Sequence, residues 1–192
     1  MSTDTPAARG ADPGRWVSPW LDFVGSQAAW WSCVLLVRAD RDAAALAGPV
    51  LYIAAHAAVR ARLRTRLVAL AGLAALAGWA GDTVLVRAGL LSFPSATMAP
   101  WSQPWMAALW AAFAVSLTAS MIWLVRRPIV IAGAFGAVAG PLAYAVGERL
   151  GVLALARWSA PAVAAEWAAA TPLLVLCARR VVAVAAPAGA AR

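Results

Sequence analysis

Between Leu67 and Arg149 the chain passes through three long apolar runs, and none of them carries the polar face that a soluble helix turns to water. Each is long enough to cross a hydrocarbon layer of about 30 Å at about 1.5 Å per residue. A helix that is apolar all round is buried either in a large protein core or in lipid, and 192 residues are too few to build a core around several of them. Composition points the same way: 64% of the residues are hydrophobic, 12% are charged and the mean hydropathy is +0.76. A soluble domain is roughly half apolar and a quarter charged. The expected fold is an all-α, polytopic transmembrane bundle of about six spans.

The spans read as Trp20–Val37, Ala43–Val59, Leu67–Leu91, Trp105–Val125, Pro128–Gly147 and Ala160–Ala178. Residues 1–16 are polar and rich in Pro, Gly and Ala, without the basic start and cleavage site of a signal peptide, and read as a disordered cytoplasmic tail. Residues 17–182 then form a single transmembrane domain, and 183–192 a short C-terminal tail. Pro49 is expected to kink the second span, because proline removes a backbone donor. Residues 151–159 fit a loop, a re-entrant helix or part of the last span equally well. No internal repeat stands out.

Arginine orients the bundle. The net charge of +8 comes without any lysine, and the arginines cluster at the ends of the apolar runs. Four fall in the seven residues Arg60–Arg66, and pairs follow at Arg126-Arg127 and Arg179-Arg180. By the positive-inside rule these three points are cytoplasmic. They share a side only if there are six spans with both termini inside. Arg38 and Arg41 are the dissenting pair, softened by Asp40 and Asp42. The arginines read as topology signals rather than a nucleic-acid surface.

An ionisable group at mid-bilayer costs at least about 2.5–3.5 kcal/mol on insertion scales, so each one needs a reason. Counting depth along the spans places Asp82 about 22 Å from the cytoplasmic side. Trp110, Tyr144 and Glu166 fall near the same level on three other spans, with Arg87, Glu148 and Arg149 just above. The candidate functional layer is Asp82, Trp110, Tyr144, Glu148 and Arg149. Arg149 is the first expected partner of Asp82, and Arg87 with Glu148 the second pair. Asp82 itself reads either as half of a buried pair that fixes helix register or as a carboxylate that handles substrate or protons. Gln27, His56 and Ser120 form a second layer nearer the cytoplasm. His56, the single histidine, reads as an interhelical or interfacial hydrogen-bonding group or as a proton carrier. The secondary candidates are therefore Gln27, His56, Arg87 and Glu166. No metal site or cofactor motif is present, and Cys33 and Cys177 read as small buried hydrophobes.

Gly136–Gly140 and Gly147–Gly151 have GxxxG spacing, which lets helices approach closely. Gly140-Pro141 is expected to break the fifth span at its middle, either for packing or to expose carbonyls to a cavity. Of the eleven tryptophans, Trp16, Trp20, Trp101, Trp105 and Trp158 read as interface belts. The others, Trp30, Trp31, Trp79, Trp110, Trp123 and Trp167, either fill gaps between Ala-rich helices or line an apolar pocket for an acyl chain.

These residues also carry a likeness. Gly81-Asp82, Gly89-Leu90-Leu91-Ser92-Phe93, Pro104-Trp105 and Ala108-Leu109-Trp110-Ala111-Ala112-Phe113 are its first part. Gly133, Gly136, Gly140-Pro141-Leu142-Ala143-Tyr144 and Gly147-Glu148-Arg149-Leu150-Gly151 complete it. Over roughly residues 20–155 the chain resembles a bacterial membrane family known as domain-of-unknown-function family 2878. Asp22 and Ser26 depart from the family's first-span pattern, Asn-x-x-Gly-Phe-Gln, which leaves those two positions without a role. The resemblance implies an inner-membrane protein with no assigned activity. It hints at lipid chemistry through the company such proteins keep with fatty-acid-modifying methyltransferases.

Three functions stay open. One is an accessory protein or enzyme acting on lipid acyl chains. Another is a small proton-coupled carrier using Asp82. The third is a structural partner of another membrane protein. Membrane lipids are the expected partners, beside another membrane protein or a lipid-modifying enzyme.

Overall fold

The computed structural model describes residues 18–95 and 98–185. The N-terminal tail, Trp16 and the last residues of the C-terminal tail lie outside them. The described chain is helical apart from one two-stranded ribbon. Its elements are α1 (Pro19–Arg38), α2 (Asp42–Ala45), α3 (Ala47–Val59), a 3-10 turn (Ala61–Leu63), α4 (Arg64–Arg87) and β1 (Leu91–Ser92). Then come α5 (Pro104–Ser116), α6 (Ile122–Val125), α7 (Ile129–Arg149), β2 (Ala154–Leu155) and α8 (Ser159–Ala185). Four helical stretches are long and apolar enough to cross a membrane: Asp42–Val59, Ala61–Arg87, Ile129–Arg149 and Ser159–Ala183. The helices α1 and α5, where two more spans were expected, fall outside that set.

Proline marks several boundaries. Pro19 and Pro104 stand at the first helical position of α1 and α5, where a missing N–H costs nothing. The interruption between α2 and α3 is the expected effect of Pro49. It leaves the Ala45 carbonyl without its donor and crowds it, and the helix parts at Leu46. Pro141 behaves otherwise: α7 runs through it without a break, against the expectation at Gly140-Pro141. The fourth span does break, between α5 and α6, where a continuous helix was expected.

The helices α1, α4 and α7 end alike. Each finishes on an arginine, a capping residue and a residue with positive φ: Asp40 at 56°, Gly89 at 69° and Gly151 at 75°. Behind each closing residue a backbone N–H reaches back five positions, from Arg41 to Leu36, Leu90 to Leu85 and Val152 to Gly147. This is the Schellman closure, and glycine suits it because it lacks the Cβ that left-handed backbone crowds. Gly151 is thus a cap, and nothing stands within 4 Å of where its Cβ would be. The GxxxG reading of Gly147–Gly151 does not hold. Gly136–Gly140 does mark a close approach, since a Cβ at either position would run into Trp167 or Thr171 of α8. Asp40→Gly should stabilise the protein by roughly 1 kcal/mol, by relieving left-handed backbone at a side-chain-bearing residue. Thermal unfolding in neutral detergent checks it.

Aligned on their closing glycines, the hairpins α4–α5 and α7–α8 form an internal repeat. Gly78 and Gly140 each stand eleven residues before the cap, and each faces a tryptophan of the following helix, Trp110 or Trp167. Asp82 and Tyr144 each stand seven residues before it. Ser92 and Ala154, each three residues after it, pair with one another in the antiparallel β1–β2 ribbon. Equivalent residues meeting each other is the mark of a local two-fold axis. The ribbon also makes residues 151–158 a connecting segment that is anchored rather than helical, and Ser159 opens α8.

Arginine carries the opposite end. Arg60 donates to Thr118 Oγ1 at 2.8 Å, and Arg179 donates to the Val125 and Arg127 carbonyls at 2.9 and 2.6 Å. Arg60 ties the end of α3 to the segment after α5, and Arg179 ties α8 to the end of α6.

Candidate functional site

The α4 sequence places Asp82 one residue after Gly81 and four after Gly78, on the face that packs against α5 and α8. The absence of a side chain at these glycines lets Trp110 and Glu166 come close to the α4 backbone. Asp82 is fully buried. Its Oδ2 accepts a hydrogen bond from Trp110 Nε1 at 3.0 Å, and its Oδ1 accepts one from the Tyr144 hydroxyl. Three of the five residues of the expected layer, Asp82, Trp110 and Tyr144, therefore form one cluster.

The other two do not join it. Arg149 is exposed and makes no ion pair with Asp82, and Arg87 does not pair with Glu148. Arg87 instead lies 4.1 Å from the centre of the Trp101 ring, which stacks on Trp79 at 5.4 Å. Glu148 accepts a hydrogen bond from the Leu155 amide at 2.9 Å and so steadies the ribbon. Indole N–H and phenol O–H donors, rather than a guanidinium, satisfy Asp82. Glu166, a secondary candidate, stands beside the cluster: a Cβ on Gly81 would strike its carboxyl group. Both of its carboxyl oxygens are buried without a hydrogen-bond partner among the described residues.

In front of this cluster lies a cavity of about 450 Å³ between α1, α5, α7 and α8. Trp105, Met106, Trp110 and Tyr144 form its buried floor. Trp167 closes one side, 4.3 Å from Trp110 and 5.2 Å from Phe113 between ring centres. The rim residues Gln27, Trp31, Leu142 and Val146 are exposed on the flanks of α1 and α7, so the cavity opens sideways. Trp105, expected in an interface belt, is core, only 2% exposed. Trp20 and Trp158 are exposed as a belt requires.

A second polar cluster centres on Asp22, a residue that the sequence left without a role. Its side chain is fully buried. Oδ1 receives the Tyr52 hydroxyl at 2.7 Å and His56 Nε2 at 2.7 Å, and Oδ2 receives the Ser120 backbone N–H at 2.7 Å. On its other side, His56 Nδ1 lies 3.3 Å from Arg60 NH1. His56 and Ser120 of the expected cytoplasmic layer are brought together here, whereas Gln27 belongs to the cavity rim. The Ser120 amide is free because α5 has ended, so Asp22 caps a broken helix from another element. The one sequence signal was an acid in the first turn of an apolar helix with a tyrosine and a histidine four apart on the next.

Cys33 and Cys177 are unpaired. Among the described residues no three His, Cys, Asp or Glu side chains are grouped to hold a metal ion.

Tyr144→Phe removes one donor from Asp82 and little else. It should destabilise the protein by about 1.5–3 kcal/mol, the range for a hydrogen bond to a charged group. Unfolding followed by tryptophan emission measures it.

No curated protein and no solved structure matches the chain. The family profile described as "Protein of unknown function (DUF2878)" matches residues 19–173. That match covers most of the chain, the Asp82 cluster and the Asp22 cluster included, and the protein belongs to the DUF2878 family.

Proposed function

We propose that this is a six-span protein of the bacterial inner membrane, with both termini in the cytoplasm, that holds the acyl chain of a lipid in the aromatic cavity. Its role is that of an accessory protein or enzyme in acyl-chain modification. The observation that carries the reading is that Trp110 and Tyr144 serve twice: they wall the cavity and they hold Asp82. A ligand in the cavity lies against the same two rings that position the buried carboxylate. The sideways mouth, rimmed by Trp31, Leu142 and Val146 beside the single polar Gln27, suits entry from the hydrocarbon layer. The shared end of Arg60, Arg127 and Arg179 supports the topology, since these arginines come from the three clusters that the positive-inside rule puts in the cytoplasm.

A lipid mass-spectrometry comparison of three strains tests the reading: a deletion, the deletion complemented with wild type, and one complemented with Asp82→Asn at equal expression. The expected result is an altered acyl-chain profile in the deletion that wild type restores and Asp82→Asn does not. An identical profile in all three overturns it.

The repeat favours a second reading, a small carrier coupled through Asp82. Transporters built from repeats bind substrate where the repeats meet, and Asp82 and Tyr144 meet there. Proton-coupled flux that disappears in folded Asp82→Asn protein would establish it.

A further inference from the structure

The cavity has acidic groups behind it as well as a shape. Behind its floor stand two carboxyl groups, Asp82 and Glu166, and neither makes an ion pair among the described residues. No arginine or histidine lines the cavity. Of the guanidinium groups at the same end of the bundle, Arg87 lies on Trp101, Arg157 on Trp158 and Arg38 reaches the Leu150 carbonyl at 3.4 Å, while Arg41 and Arg149 are exposed. The walls are aromatic, and the face of an aromatic ring attracts a cation. Electrostatic interactions act over longer distances in such an interior than in water.

We propose that the ligand of the cavity is a lipophilic cation: an apolar body with a positive ammonium-like or phosphonium-like centre. The centre sits against the faces of Trp110, Tyr144 and Trp167, and the carboxyl pair of Asp82 and Glu166 behind them gives up a proton to supply the counter-charge when the cation binds. The inference rests on the reading of the cavity as a site for apolar ligands and names the charge of the ligand. Fatty-acid carboxylates and bare phosphate groups are disfavoured, because the site offers them like charge and no basic side chain.

Tetraphenylphosphonium and tetraphenylborate have the same four phenyl arms and opposite charges. Their binding to the full-length protein in nanodiscs, corrected with protein-free nanodiscs, reads the charge preference directly. A neutral monoacylglycerol serves as the uncharged probe. The phosphonium should bind at least about tenfold more tightly than the borate, the scale of a desolvated cation–aromatic contact. Glu166→Gln, which removes an ionisable carboxyl group but no hydrogen bond among the described residues, should reduce phosphonium affinity about fivefold or more and leave the monoacylglycerol unaffected. Equal or tighter binding of the borate overturns the inference. So does an unchanged preference in Glu166→Gln protein with a wild-type unfolding midpoint. If the monoacylglycerol binds and the ions show no preference, only this inference fails. If no probe binds, the reading of the cavity as a ligand site fails with it.

Discussion

Asp22→Ala should lower the unfolding midpoint by about 10 °C, the largest stability loss expected from any single substitution in this protein. The carboxylate collects three donors from two other elements: the Tyr52 hydroxyl and the His56 ring from α3, and the Ser120 amide from the break between α5 and α6. Alanine leaves all three buried and unsatisfied. Each orphaned group costs about 1–3 kcal/mol, and removing one partner of a buried pair costs about 3–5 kcal/mol. The upper part of that range applies because Ser120 N–H has no helical acceptor to return to. Asp22→Asn keeps one acceptor oxygen and turns an amide towards a donor, so it should fall between wild type and alanine. His56→Ala removes one donor only and should cost less than either. Unfolding of the purified protein in neutral detergent gives the order. A midpoint for Asp22→Ala within a degree or two of wild type would show that the cluster is not what joins α1, α3 and the broken helix.

The contrast between the two clusters explains what the sequence reveals. Apolar run length is a one-dimensional property, so the helical segments were legible as segments and the starts of α1 and α5 to within a residue, although the third span was placed three to four residues late and the last was ended seven residues early. Depth is also nearly one-dimensional. Counting residues from each end put Asp82, Trp110, Tyr144 and Glu166 on one level, where the fold indeed gathers them. Depth says nothing about which way a side chain faces round its helix, and there the expectation failed. Formal charge pointed to Arg149, but Arg149 is at the surface, and neutral aromatic donors do the pairing instead. The break after Ser116 was hidden for a different reason. Its stabilising contacts come from Asp22, 98 residues away, and from Arg60, 58 away. The internal repeat escaped notice because few residue types coincide. What coincides is the spacing of Gly78, Asp82 and Gly89 with Gly140, Tyr144 and Gly151, which acquires meaning only once the two glycines are seen to close their helices.

Gly78→Ala tests that spacing and the site at once. A Cβ at Gly78 would overlap the Trp110 ring, and Trp110 cannot retreat without losing its hydrogen bond to Asp82 or pressing on Trp167. Overpacking costs about 1–3 kcal/mol, and loss of a hydrogen bond to a charged group adds about 1.5–3 kcal/mol. The expected destabilisation is about 3 kcal/mol, large for the addition of one methyl group. The same substitution at Gly72, where nothing stands within 4 Å, should instead help by roughly 1 kcal/mol through helix propensity alone. A double-mutant cycle with Trp110→Ala separates collision from propensity. Truncating the indole removes the obstacle, so Gly78→Ala in that background should be neutral or stabilising, with a coupling energy of about 3–4 kcal/mol. Near-additivity would mean that Gly78 does not set the position of Trp110. Because Trp110 also walls the cavity, the single Gly78→Ala protein should bind apolar ligands more weakly while Asp82 itself is untouched. A Gly78→Ala effect that vanishes in the Trp110→Ala background while binding stays weak there would assign the indole to the ligand as well as to the carboxylate.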